Sequence, residues 1–212
     1  PLYYHKAAAA FAWLREYVTA DAPMRASMPA LETDLAAVDP IPLVSSPFAA
    51  RAANMLFACG ETEAAFLQSN FPAANIAVVP FGSSVKNLKA DAALFEEKFG
   101  IKDFVLCVGR VESRKNQLML LHALEDVDLP IVFADGGFTY NAEYSSLCRI
   151  YKRKGRTIFT GRLSEEMLVS AYRACRLHCL PSWYELPGLV SLEAAHYGRP
   201  LVAASWGCLP DY

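Results

Sequence analysis

Five short strand-like runs, separated by segments of helical period, constrain this chain more than any other feature. They are Phe104 to Gly109, Ile131 to Ala134, Thr157 to Thr160, Leu177 to Leu180 and Leu201 to Ala204. Runs this short and this apolar suit strands buried in a parallel sheet. Between them, helices are expected over Ala92–Phe99, Asn116–Leu124 and Tyr140–Lys154, after Ser164, and from Leu189. Gly100 is a C-cap for the first of these. Ser164, followed by Glu165 and Glu166, is an N-cap with acids in the first turn. Strands alternating with helices give an α/β fold with parallel sheets. The earlier chain follows the same alternation: a strand over Met55–Cys59, then a helix over Glu61–Phe71 packing through Ala64, Ala65, Leu67 and Phe71. A second strand covers Ile76–Pro80 and a turn Phe81–Ser84. Before it lie a strand end at Leu2–His5, a helix over Ala7–Val18 with Phe11, Leu14 and Val18 on one face, a weakly patterned stretch from 20 to 47, and a helix over Pro47–Asn54.

The stretch Leu177–Pro200 carries the densest chemistry. Its strand ends at Pro181-Ser182, and a loop with Trp183, Tyr184 and Glu185 passes the breakers Pro187 and Gly188. A helix then begins, with Leu189, Leu192, Ala194 and Ala195 flanking its apolar face and Gly198 and Pro200 ending it. Glu185 and Glu193 stand eight positions apart. Ligands of open α/β sheets sit beyond the carboxyl ends of the strands. Helix N-termini there favour phosphate, and a carboxylate can accept hydrogen bonds from sugar hydroxyls. Two solvated surface glutamates are the competing reading.

A second candidate site follows the strand at 104–109. In GRVESRKN, Arg110 and Lys115 lie between a strand end and a helix start, which makes a phosphate site; a solvated basic loop is the alternative. Asp135-Gly136-Gly137 ends the next strand without a dinucleotide fingerprint. The cations Lys152, Arg153, Lys154 and Arg156 suit a helix C-terminus. His178 alternates inside an apolar strand and is expected to be a satisfied core histidine. His196 is given no chemistry.

These residues resemble a known family. PSWYE, GLVSLEA and GRPLVAAS are similar to the E-x7-E signature of the retaining GT-B glycosyltransferases, the large group-one family, with Glu185 and Glu193 matching its two glutamates. Gly188 and Leu189 agree with the family loop, whereas Leu186, Pro187 and Val190 depart from it. GRVESRKN resembles the Gly-Arg-x4-Lys element, so Arg110 and Lys115 match the pair that holds the donor diphosphate; Arg114 has no counterpart. Gly161 and Leu163 match a turn that brackets the nucleotide base through backbone groups, although a plain turn fits equally. LFACGETEAAFLQ and IAVVPFGSSV follow the end of the family's first domain, with Cys59-Gly60 where a Ser commonly stands. His5 matches a histidine near the donor sugar, or has no role. Near the end, Cys208 replaces a glycine and Asp211 stands where Glu is usual.

The resemblance implies two Rossmann-like domains: residues 1–85 as the end of an acceptor-side domain, and 86–212 as a donor-binding domain truncated at its end. It implies transfer of a hexosyl group from a UDP- or GDP-linked donor to an acceptor hydroxyl, carbohydrate or lipid-linked, with retention and without a bound metal. Arg110 and Lys115 would hold the diphosphate, Glu185 the sugar and Glu193 the ribose. A GT-B sugar-nucleotide epimerase and a non-catalytic nucleotide-sugar-binding domain are the rival readings. The start at Pro1 and the end at Tyr212 suggest a partial chain, which alone is expected to be inactive. The net charge of −2 gives no basis for a nucleic-acid partner. Six cysteines without a C-x-x-C pair read as buried reduced thiols in a cytoplasmic protein; no His pair completes a zinc site at Cys175 and Cys179. No apolar stretch is long enough to span a bilayer; peripheral membrane contact is expected only through parts outside this chain.

Overall fold

The strand at the centre of the larger sheet is the most apolar one. In the computed structural model, which describes residues 50, 52–82, 89–137, 141–205 and 207–211, the smaller parallel pair is β1 (Leu56–Ala58) and β2 (Ile76–Val78). The larger sheet contains β3 (Val105–Val108), β4 (Ile131–Ala134), β5 (Thr157–Phe159), β6 (Leu177–Leu180) and β7 (Leu201–Ala203). All its pairings are parallel, and the order is β5-β4-β3-β6-β7. Every residue of β3 and β4 is buried.

The chain between the strands forms α1 (Glu61–Asn70), α2 (Ala92–Phe99), α3 (Gln117–Ala123), α4 (Ala142–Ile150), α5 (Glu165–Ala174) and α6 (Leu189–His196). Strand side chains alternate between faces. Leu106, Val108, Val132 and Ala134 join Phe95 of α2, Ala171 and Tyr172 of α5 and Ala194 of α6 in one core. The opposite face carries α3 and α4: the Leu118 N–H donates to Tyr144 Oη at 2.9 Å, and Arg149 lies over the Phe159 ring, which stacks on Phe133. Helices thus cover both faces, as a parallel sheet requires. Phe95 packs on Phe99 and Phe104 with ring centroids at 4.5 and 5.0 Å; truncating such a buried ring costs about 3–5 kcal/mol.

Local signals account for the helix ends. Asp91 accepts a bond from the Ala93 N–H. Gly100 closes α2 in the left-handed region at φ 62°. Ser164 accepts from the Met167 N–H at 3.2 Å, as an N-cap should.

Several expectations need correction. The helix expected over Tyr140–Lys154 spans only Ala142–Ile150 among the described residues, because Tyr151 has already turned to extended backbone. On α1, Ala64, Leu67 and Phe71 are half-buried but Ala65 is exposed. On α6 the buried residues are Ser191 and Ala194, with Val190 and Tyr197 against the core, and Ala195 is exposed. The real face follows Val190, Ala194 and Tyr197, at helical steps of four and three. The readings of Leu2–His5, Ala7–Val18, 20–47, most of Pro47–Asn54 and the 85/86 boundary lie outside the described residues, as does His5.

The chain divides into two compact units. One includes the segment ending at Phe81 together with Tyr184–Pro187 and Ser205–Tyr212; the other is Gly82–Trp183 with Gly188–Ala204.

Candidate functional site

Numbered from β3, the larger sheet has the strand order 3-2-1-4-5. The chain therefore leaves β3 toward β4 on one side and returns past it to β6 on the other. The loops after β3 and β6 diverge at that topological switch point, where open α/β sheets bind their ligands.

The loop after β3 is built around one buried carboxylate. Gly109 has φ 139°, a conformation that side-chain-bearing residues rarely adopt. The stem of Lys115 lies against it: a Cβ at Gly109 would stand 3.4 Å from Lys115 Cε. Glu112 is 6% exposed. It accepts from Arg110 Nε at 3.2 Å through one oxygen and from Arg114 at 3.0 Å through the other. Gln117 donates to the Arg110 carbonyl at 2.7 Å. A short 3-10 turn, Ser113–Lys115, and the left-handed Asn116 then lead into α3. Half-exposed Arg110 and partly buried Lys115 therefore project from a braced loop rather than a solvated one.

Two hydrogen bonds tie this loop to the one after β6. Asn116 Nδ2 donates to the Pro181 carbonyl at 3.2 Å, and the Trp183 N–H donates to the Arg114 carbonyl at 2.9 Å. Gly188 is left-handed at φ 53° and is the N-cap of α6, which has no side-chain cap. Leu189 opens the helix. Ser182 Oγ, Ser191 Oγ and Gln117 Oε1, all in these loops or helix starts, are buried without a hydrogen-bond partner. Each such atom costs about 1–3 kcal/mol.

Glu193 is half-buried, and its Oε2 accepts from the Tyr172 hydroxyl at 2.8 Å. Burial, and then the Glu193 charge, push the Tyr172 pKa above its ordinary value. The phenol thus stays a donor and holds the carboxylate on α6. Glu185 is 6% exposed and belongs to the other compact unit. Its backbone bridges Gly207, and its carbonyl accepts from the Cys208 N–H at 2.8 Å. A Cβ at Gly207 would stand 1.9 Å from that carbonyl oxygen, so only glycine fits. Neither glutamate is a solvated surface residue.

Gly161 is left-handed at φ 67° with open space where a Cβ would lie, and Leu163 packs against the core. His178 lies fully inside the sheet, but it is not satisfied: neither ring nitrogen has a partner. Burial first, and the Lys115 charge second, push its pKa down to about 4. A neutral imidazole is what burial beside the Lys115 charge permits. All six cysteines are buried and none is disulfide-bonded. Sequence reasoning missed Glu112 and Tyr172. The first has a visible signal, a lone acid between Arg110 and Arg114; the second, an aromatic on the apolar face of a helix, has none.

This geometry defines a parallel, Rossmann-like domain with two cations, Arg110 and Lys115, on the loop at its switch point. The sequence pattern of the family described as "Glycosyl transferases group 1" matches residues 91–212, more than half of the chain, and the chain belongs to that family. It is 31% identical over 130 residues to the serotype-specific mannosyltransferase WbdA of Escherichia coli, a match covering 55% of this chain and 15% of that protein. It is 37% identical over 111 residues to the D-inositol 3-phosphate glycosyltransferase of Mycolicibacterium smegmatis, covering 50% and 26%. The sucrose-phosphate synthase of Thermosynechococcus elongatus superimposes with a TM-score of 0.68 at 25% identity, over 82% of this chain and 46% of that one. The α/β fold with parallel sheets is thus of the GT-B glycosyltransferase type. The chain spans less than half the length of each of these proteins. No helix among the described residues is long and apolar enough to cross a membrane.

Proposed function

We propose that this chain carries the donor site of a retaining glycosyltransferase, which moves a sugar from a UDP- or GDP-linked donor to the hydroxyl of a carbohydrate or lipid-linked acceptor. The observation that supports this most is the braced Arg110–Lys115 loop, hydrogen-bonded to the loop after β6 at the switch point of the sheet. In the reaction, the bond between the anomeric carbon and the diphosphate oxygen breaks, and its electron pair leaves with the diphosphate. The acceptor oxygen bonds to that carbon on the same face and passes its proton to the departing phosphate. The barrier falls because fixed positive charge meets the charge growing on the diphosphate. Arg110, Lys115 and the N-terminal amides of α6, from Gly188 and Leu189, supply it. Glu193, steadied by Tyr172, takes the ribose. Glu185 is assigned to the sugar, and the backbone of Gly161 and Leu163 to the base, on the family resemblance. The similar proteins include ones named mannosyltransferases, so a mannosyl donor is the first to try.

Calorimetric titration of UDP and GDP into the chain tests the reading. Saturable binding of one of them, weakened about tenfold or more (1.4 kcal/mol) in Glu193→Ala, is expected. Equal affinity in wild type and variant overturns the assignment of Glu193.

A further inference from the structure

The two cysteines at which the chain departs from the group-one pattern, Cys59 and Cys208, lie 149 residues apart in sequence, yet their sulfurs are 3.6 Å apart. Cys59 follows β1 and Glu63 stands on the first turn of α1. A carboxylate oxygen of Glu63 and the two sulfurs all lie within 4.8 Å of one another. Cys59 and Cys208 are 3% and 0% exposed. We propose that Cys59, Glu63 and Cys208 form a zinc site that anchors the Glu185 segment to the start of α1.

The sulfur–sulfur distance of 3.6 Å suits the ion. A tetrahedral zinc, with bonds of about 2.3 Å to sulfur and 2.0–2.2 Å to oxygen, sets its sulfur–sulfur edge near 3.8 Å and its sulfur–oxygen edge near 3.5 Å. A disulfide needs sulfurs at about 2.05 Å, so at 3.6 Å the pair is not bonded covalently, and Glu63 beside it supplies a third ligand atom. Two thiolates with a carboxylate select zinc over the hard cations magnesium and calcium. Three protein ligands leave one tetrahedral position for water.

The consequence is local and mechanical. The Cys208 N–H donates to the Glu185 carbonyl, Gly207 bridges Glu185, and Asp211 accepts from the Thr62 N–H at 3.0 Å and from Thr62 Oγ1 at 2.8 Å. The segment 207–211 therefore joins the Glu185 backbone to the first turn of α1. An ion on Cys59, Glu63 and Cys208 closes the same link through side chains. The site stands independently of the donor reading.

The test is titration of the chelator-stripped, reduced chain with Co2+, whose thiolate complexes absorb in the near ultraviolet and, when tetrahedral, in the visible. One Co2+ per chain, displaced by Zn2+, is expected. Cys59→Ser and Cys208→Ser should abolish the thiolate bands, and Glu63→Gln should weaken binding about tenfold or more. Circular dichroism checks that the variants are folded, and the wild-type titration does not depend on them. A folded wild-type chain that takes up no cobalt, and whose six cysteines are all found reduced when counted after denaturation, overturns the proposal. So does unchanged binding in Cys208→Ser. A mass two hydrogens lower without reductant, lost in Cys208→Ser, overturns it in favour of a disulfide.

Discussion

Two loops at the same edge of the sheet begin alike and end differently. After β3 the chain reads Gly109-Arg110-Val111, and near the end of β5 it reads Gly161-Arg162-Leu163. Both glycines have positive φ. In the first loop the side chains are committed: Lys115 lies on Gly109, and Glu112 holds Arg110 and Arg114. In the second, nothing stands near Gly161, Arg162 is exposed and Leu163 turns into the core. The same dipeptide opens a loop held by side chains beside the switch point and a plain turn at the sheet edge. Position in the strand order goes with the difference: the loop after β3 is hydrogen-bonded to the loop after β6, whereas β5 is the edge strand.

The largest contrast is expected in backbone strain. Gly109→Ala puts a Cβ into a sparsely allowed conformation costing about 1–3 kcal/mol, relieved by shifting the loop. Both melting temperature and nucleotide-diphosphate affinity should fall. Gly161→Ala, left-handed with room to spare, should cost about 1–2 kcal/mol in thermal melts. Similar affinity losses in the two variants would erase the distinction.

Charge comes next. Lys115→Ala should weaken UDP or GDP binding about tenfold or more, and Arg162→Ala should leave it within about twofold. Calorimetry reads both, and a tenfold loss in Arg162→Ala would break the comparison.

Tyr172→Phe removes the donor to Glu193 while keeping the ring. Hydrogen bonds to charged groups contribute about 1.5–3 kcal/mol, so a measurable loss of stability in urea and a severalfold loss of nucleotide affinity are expected. A loss of stability alone would make Tyr172 a core residue only.

The smallest effect concerns His178. Its folded-state pKa of about 4 lies below the ordinary 6.5. The unfolded chain therefore takes up a proton near pH 6.5 and the folded chain only near 4. The stability gained from the neutral imidazole is present above pH 6.5 and is lost as pH falls toward 4. Because the Lys115 charge contributes to the depression, Lys115→Ala should raise the His178 pKa, read from its ring resonances by NMR. Arg162→Ala should leave it unchanged.

Strand and helix order, the caps Gly100 and Ser164, and the family were all legible from the chain alone. They depend on local periodicity, turn chemistry and short spacings, which a linear sequence records directly. The tertiary structure decided what depends on residues distant in sequence. It set the strand order that puts β3 beside β6 and braced Arg110 and Lys115 through Glu112, Asn116 and Trp183. It gave Glu193 a phenol from α5, turned α6 onto Val190, Ala194 and Tyr197, and left His178 buried without a partner. It also brought Cys59 to Cys208. Pairing in space follows from how sheets and helices pack, and spacing along the chain carries no record of that for partners so many residues apart.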